Sequence, residues 1–247
     1  MTAFFHALSF LTRIPVPQMS SSQLSWEKSI RYYPVIGLMI GICLSIAAYV
    51  ANMLFPLPVT AVLILVFWIW ITGGLHLDGW MDLADGFGSN REKEQMVEIM
   101  KDSRVGAFGV IAAILLLLIK LAALVVIISE YPLIFLILPP FIARFFLVIA
   151  IWHWPYKSEN GVGAGLRNGI SPQSLVINSI LTVGIISFSV GLIGLVYFSM
   201  CLLVGWLFGR AVSRKLEGLT GDCYGALVEW VEGSALLLIF IFWRLWQ

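Results

Sequence analysis

The sequence is poor in charge. Only 12% of its 247 residues are Asp, Glu, Lys or Arg, while 60% are hydrophobic. A soluble domain carries about twice that charged fraction, so an ordinary water-soluble fold is excluded. Cysteine is also scarce. Cys43, Cys201 and Cys223 are odd in number and scattered, which excludes a disulfide framework and leaves them as small hydrophobes. No G-x-x-x-x-G-K-[ST] stretch is present, so ATP hydrolysis on a phosphate loop of that kind is not expected. Nothing resembles a Ser-His-Asp or Cys-His arrangement. The net charge of +1 offers no argument for nucleic acid, and no nucleic-acid partner is expected. The opening residues lack the basic stretch and the small-residue cleavage site of a secretory signal.

What is present is long apolar runs. A bilayer crossing takes about 20 mostly apolar residues, and seven segments qualify, near 34–54, 58–76, 106–128, 132–152, 174–191, 193–209 and 225–243. Lipid offers no partner to free backbone groups, so each should be a helix. The expected fold is all-α: one polytopic integral membrane catalytic domain over 1–247, with about seven transmembrane helices and short interfacial helices. "GLIG" at 191–194 is the only break between the fifth and sixth segments, which leaves six spans as the alternative. The apolar part of "MTAFFHALSFLTRIPVP" is too short to cross. It reads as an interfacial or tucked-in helix ended by Pro15 and Pro17.

Charge then orders the topology. With seven spans, 12 of the 15 basic residues fall on the side of the N-terminus. Lys120 and Arg144 lie inside spans, and only Arg244 lies at the far side. The positive-inside rule places that rich side in the cytoplasm. Six spans would strand Arg210, Arg214 and Lys215 outside.

All five aspartates of the chain, Asp78, Asp82, Asp85, Asp102 and Asp222, fall on the same side. In "HLDGWMDLADGF", Asp78, Asp82 and Asp85 stand at i, i+4 and i+7. If the second helix continues through them, they share one face. Like charges this close repel, and clustered carboxylate oxygens suit Mg²⁺ or Mn²⁺ better than zinc. The alternative is a solvated loop that tolerates its charges. In "MKDSRVGAFG", Arg104 has the geometry to hold a phosphate oxygen, and Gly106 and Gly109 would admit a phosphate or a neighbouring helix; the bland reading is a helix cap at Asp102 or Ser103. "GVGAGLRNG" before and after Arg167 is a weak phosphate-loop signal. His153, between two tryptophans, reads as part of an aromatic belt. Glu229 and Glu232 enter the last span with no local basic partner. Intramembrane acids are costly and usually functional, and pairing with Lys120 or Arg144 is the structural alternative. Carboxylates, a divalent cation and arginines together are the parts of phosphoryl transfer.

"FLTRIPVP", "YYPVIGLMIG", "TGGLHLDGWMDLADGF", "KDSRVGAFG" and "LTGDCYGALVE", in that order along the chain, resemble the cobalamin synthase family, also called adenosylcobinamide-GDP ribazoletransferase. The likeness spans about residues 8 to 232. It implies an Mg²⁺-dependent enzyme of the bacterial inner membrane, its site facing the cytoplasm. Such an enzyme joins adenosylcobinamide-GDP to α-ribazole or its 5′-phosphate and releases GMP. On this resemblance Asp78, Asp82 and Asp85 are expected to hold the metal, with Asp82, Asp85, Asp102 and Asp222 as the catalytic set. His76, Arg13, Arg104, Arg167 and Glu229 are expected to contact substrate. The lipid bilayer is the other partner, and a homo-oligomer stays open. "DLADG" also resembles the start of the CDP-alcohol phosphotransferase signature, whose following "A-R" is absent here; a membrane enzyme of that type is the rival reading.

Overall fold

The computed structural model describes residues 1–17, 22–158, 161, 163–246, with the side chains of 245 and 246 left out. Among the described residues eleven α-helices follow one another: α1 (Thr2–Leu11), α2 (Gln23–Ser29), α3 (Tyr33–Leu54), α4 (Leu57–Thr72), α5 (Leu75–Gly88), α6 (Lys93–Met100), α7 (Ala107–Glu130), α8 (Leu138–His153), α9 (Pro172–Val190), α10 (Ile193–Leu216) and α11 (Gly221–Trp246). Among the described residues the only bridge between extended segments is the isolated one joining Tyr156 and Leu219. The chain is an all-α, multi-pass membrane protein.

Among the described residues, six helical stretches are each long and apolar enough to cross a membrane, and the α4–α5 pair makes seven if counted as one span. Here the structure departs from a continuous second helix. The run breaks at Gly73 and Gly74, both left-handed at φ 69° and 73°, a conformation that costs a residue without Cβ nothing. The chain turns by 90° between α4 and α5. The three aspartates therefore sit on a helix of their own. The fifth and sixth segments are separate helices, parted at Gly191 (φ 70°), and each qualifies as a span alone. The N-terminal helix ends earlier than its prolines: the Thr12 hydroxyl donates 2.6 Å to the Leu8 carbonyl, and Thr12 is already extended.

The bundle is built around α8, buried from Leu138 through Val148. The sides of α3, α4, α7 and α9 that face outward are apolar, including Met53, Val66, Leu118 and Phe188, as lipid requires. Helix α3 lies against α8 through Gly37 and Gly41. A Cβ on Gly41 would stand 2.6 Å from both Cα and the carbonyl oxygen of Ile137. In lipid, helix pairs hold by van der Waals contact, and small residues four apart allow it.

Replacing Gly41 with Leu is expected to destabilise the detergent-solubilised protein by about 1–3 kcal/mol, the usual penalty of overpacking. Thermal unfolding measures it. An unchanged midpoint would mean that α3 does not pack as described.

Candidate active site

Helices α5 and α11 meet backbone to backbone. A Cβ on Gly79 would lie 2.6 Å from the Asp222 carbonyl oxygen and 2.9 Å from its Cα, and one on Gly225 would lie 3.2 Å from the His76 carbonyl oxygen. Thr220 starts α11 by accepting the Cys223 N–H at 3.3 Å and donates a longer bond, 3.5 Å, to Asp222. The crossing gathers the acids. The charges of Asp78, Asp222 and Asp85 all act on Asp82, and Asp78 acts on Asp222. Among the described residues, none of these four carboxylates has an ion-pair partner. Among the described residues, the charge of Lys101 is felt at Asp222. Uncompensated carboxylates suit a hard divalent cation. As placed, no three His, Cys, Asp or Glu side chains among the described residues converge on a point that would hold one.

Asp85 departs from the expected metal role. Its two oxygens accept the Gly106 and Gly109 N–H groups, each at 2.8 Å. Helix α7 begins with a glycine at its N-cap and no side-chain cap of its own, so Asp85 supplies the cap from a neighbouring helix. It satisfies two otherwise orphaned N–H groups at the positive end of the helix dipole.

Beside the crossing lies a cavity of about 300 Å³, at the end of the bundle where α3 begins, α8 ends and α11 begins. Asp78, Asp222, His76 and Lys101 contribute its polar wall, and Phe10, Tyr33, Leu147, Ile151 and Tyr224 its apolar one. Tyr156 also lines it, stacked on Tyr224 with ring centroids 5.8 Å apart.

Behind the cavity is a buried ionic network. Lys120 Nζ lies 2.5 Å from Glu229 and 2.7 Å from Glu232. Arg144 pairs with Glu232, and its other terminal nitrogen is 3.2 Å from His76 Nδ1. Two cations face two anions, which meets the rule that buried charges be paired. Glu229, expected at the substrate, lies in this network as a partner of Lys120 and does not line the cavity. His76 does reach the cavity, held from behind by Arg144.

A family model described as cobalamin-5-phosphate synthase matches residues 3–240. The chain belongs to the cobalamin-5-phosphate synthase family. Three similar proteins, each named adenosylcobinamide-GDP ribazoletransferase, bear this out. The one from Brevibacillus brevis is 45% identical, over 99% of this chain and 100% of its own length. Those from Desulforamulus reducens and Alkaliphilus metalliredigens are 38% and 36% identical, over 95% and 98% of this chain and 94% and 96% of theirs. No solved structure matches. The chain is an enzyme, a transferase of this type.

The structure brings some of the expected residues of this cobalamin-5-phosphate synthase family member together and leaves others aside. Asp78 and Asp222 line the cavity, and Asp82 is their neighbour. Asp102 and Arg104, expected at catalysis and at phosphate, are taken up with each other: the guanidinium donates 2.6 Å to the carboxylate, the arginine side chain is 87% exposed, and neither lines the cavity. The Arg104 bonds hold the Asp102 carboxyl down to about 2. Arg13 is exposed, its N–H bonded to the Ile71 carbonyl at 2.8 Å and its side chain against Gly73. Arg167 is exposed, in the short turn Leu166–Gly169. Lys101, Tyr156, Thr220 and Tyr224 form cavity wall that sequence reasoning passed over. Their signal was adjacency, since Lys101 precedes Asp102 and Thr220 and Tyr224 flank Asp222.

Two substitutions separate structure from chemistry. Glu232→Gln leaves Arg144 without its partner and is expected to cost about 3–5 kcal/mol, read by thermal unfolding in detergent. Asp85→Ala is expected to cost about 1–2 kcal/mol as a lost cap, with Asp85→Asn intermediate. Unchanged stability of Asp85→Ala together with weakened cation binding would return Asp85 to the metal.

Proposed function

We propose that the chain joins adenosylcobinamide-GDP to α-ribazole or its 5′-phosphate and releases GMP, in the last steps of cobalamin biosynthesis. The observation that carries this reading is the meeting of Asp78 and Asp222, without ion-pair partners among the described residues, at the wall of a cavity, with Asp82 beside them, in a chain of this family. It works in a bacterial inner membrane. The excess of basic residues on the side of the cavity, 12 of 15, supports a site that opens to the cytoplasm.

Asp78, Asp82 and Asp222, which as placed do not converge on one point, would have to turn toward one another to hold Mg²⁺. Bound there, the ion would neutralise the pyrophosphate and the leaving group. The chain's own residues supply the rest. Lys101 places a positive charge beside the phosphates. Asp82 or Asp222 orients the attacking ribose hydroxyl and takes its proton. The hydroxyl oxygen bonds to the corrinoid-side phosphorus as the bond to the GMP oxygen breaks, and GMP leaves. His76, held by Arg144, forms part of the cavity wall. Asp85 fixes α7 against α5, so the carboxylates keep their spacing.

The purified protein in detergent, given adenosylcobinamide-GDP, α-ribazole phosphate and Mg²⁺, is expected to release GMP. Asp82→Asn is expected to lower the rate by at least about a hundredfold. GMP release that survives the substitution would remove Asp82 from the site. Release of CMP from a CDP-alcohol in place of GMP would overturn the substrate assignment.

A further inference from the structure

The proposed reaction treats its two phosphates differently. One is attacked and stays with the corrinoid. The other leaves as GMP and gains negative charge as the bond between them breaks. The cavity walled by Asp78 and Asp222 provides for the first. A second cleft, of about 270 Å³, adjoins it, and Val97 and Thr220 belong to both walls. Two lysines, Lys93 and Lys157, line this cleft. The acid in its wall, Glu94, lies 3.2 Å from Lys93 with a side chain 76% exposed.

Both lysines are carried by segments that also build the first cavity. Lys93 opens α6, whose far end supplies Met100 and, just beyond it, Lys101 to that cavity. The Lys157 N–H donates to the Leu219 carbonyl at 2.9 Å, and the Leu219 N–H donates to the Pro155 carbonyl at 2.9 Å. Leu219 leads directly into Thr220 and Asp222. Between the lysines stands an anion of the chain itself. One oxygen of Glu217 is 2.8 Å from Lys93 Nζ and 3.5 Å from Lys157 Nζ, so a single anionic group already spans the pair. Glu217 has left-handed backbone, φ 56°, at the end of α10, where glycine or asparagine is usual. Its side chain is 63% exposed, and an ion pair that open to water contributes little and is readily exchanged. A phosphate brings more charge and more acceptor oxygens than a carboxylate and can meet both ammonium groups at once.

We infer that this second cleft seats the phosphate of the leaving guanosine nucleotide, held by Lys93 and Lys157 in place of Glu217. The inference rests on the proposed reaction for the identity of the donor. It adds where the leaving group goes and which residues receive it. As the ribose hydroxyl attacks and gives its proton to a carboxylate, the bond from phosphorus to the GMP oxygen breaks and the electron pair stays on that oxygen. The new charge falls between two ammonium groups, which therefore hold the phosphate more strongly once the bond has broken than before. Glu217 competes for the same lysines and so favours release of the product.

The test compares Lys93→Gln, Lys157→Gln and Glu217→Gln with wild type, each as the full-length protein in detergent. Binding of GMP alone is followed by calorimetry, and GMP release is measured while each substrate is varied in turn. A surface brace and an anion seat differ in sign: breaking a brace from either end has the same effect, whereas removing a competitor has the opposite effect to removing a ligand. Each lysine variant is expected to weaken GMP binding and to raise the KM for adenosylcobinamide-GDP about tenfold, one charge-assisted hydrogen bond. Glu217→Gln is expected to tighten GMP binding about two- to fivefold. The KM for α-ribazole phosphate is expected to stay unchanged in all three. If Glu217→Gln weakens GMP binding or leaves it unchanged, the three residues are only a brace and the inference is overturned. It is overturned equally if the lysine variants bind GMP as wild type does, or if the KM that rises is the one for α-ribazole phosphate. If the wild type releases no GMP, the proposed reaction fails while calorimetry still decides here: GMP bound by wild type, with opposite shifts in the lysine and glutamate variants, supports the cleft, and no binding to wild type overturns it.

Discussion

The site depends on how closely α5 approaches α11. The two helices touch through backbone at Gly79, where a side chain has no room beside Asp222. This contact brings carboxylates 140 residues apart in sequence into one electrostatic group. A wider crossing would leave Asp78 and Asp82 on one helix and Asp222 on another, with no shared ligand between them. Membrane helices pack by contact of small residues more than by apolar burial, so the glycine that follows Asp78 in the sequence is as much a part of the site as the aspartate.

Two further devices hold the crossing in place. From behind, Lys120 on α7, Glu229 and Glu232 on α11, Arg144 on α8 and His76 on α5 form one ionic network. The network is costly to assemble in a bilayer and more costly to leave half made. It therefore ties four helices in one register. From the side, Asp85 caps α7 and joins its start to α5. The acids around the crossing thus divide by neighbour. Glu229, Glu232 and Asp85 have a fixed positive partner or a helix end, and Asp78 and Asp222 line the cavity.

Much of this was legible in the chain itself. The spans were, because long apolar runs have few other uses, and the break between α9 and α10 showed as a weakly polar "GLIG". The turn between α4 and α5 was not, because apolar residues run through it; Gly73–Gly74 was its only mark. The spacing of Asp78, Asp82 and Asp85 marked a helical face, and α5 carries all three. It could not separate Asp85 from the others, because capping another helix is a fact of tertiary position. Pairing of Glu229 with Lys120, weighed as the bland alternative, is what the fold contains. Tyr224 had no sequence signal of its own beyond its place next to the "GD" of α11.

The most direct test of this account is turnover in Gly79→Ala, measured as GMP release alongside thermal unfolding. One added methyl group forces α5 and α11 apart without removing any polar atom. The account predicts a protein that still unfolds cooperatively, at a temperature lowered by overpacking, but turns over about a hundredfold more slowly, as misplacement by an ångström does elsewhere. Wild-type turnover in a folded Gly79→Ala protein would contradict it, since the carboxylates would then act together without the contact that the fold builds for them.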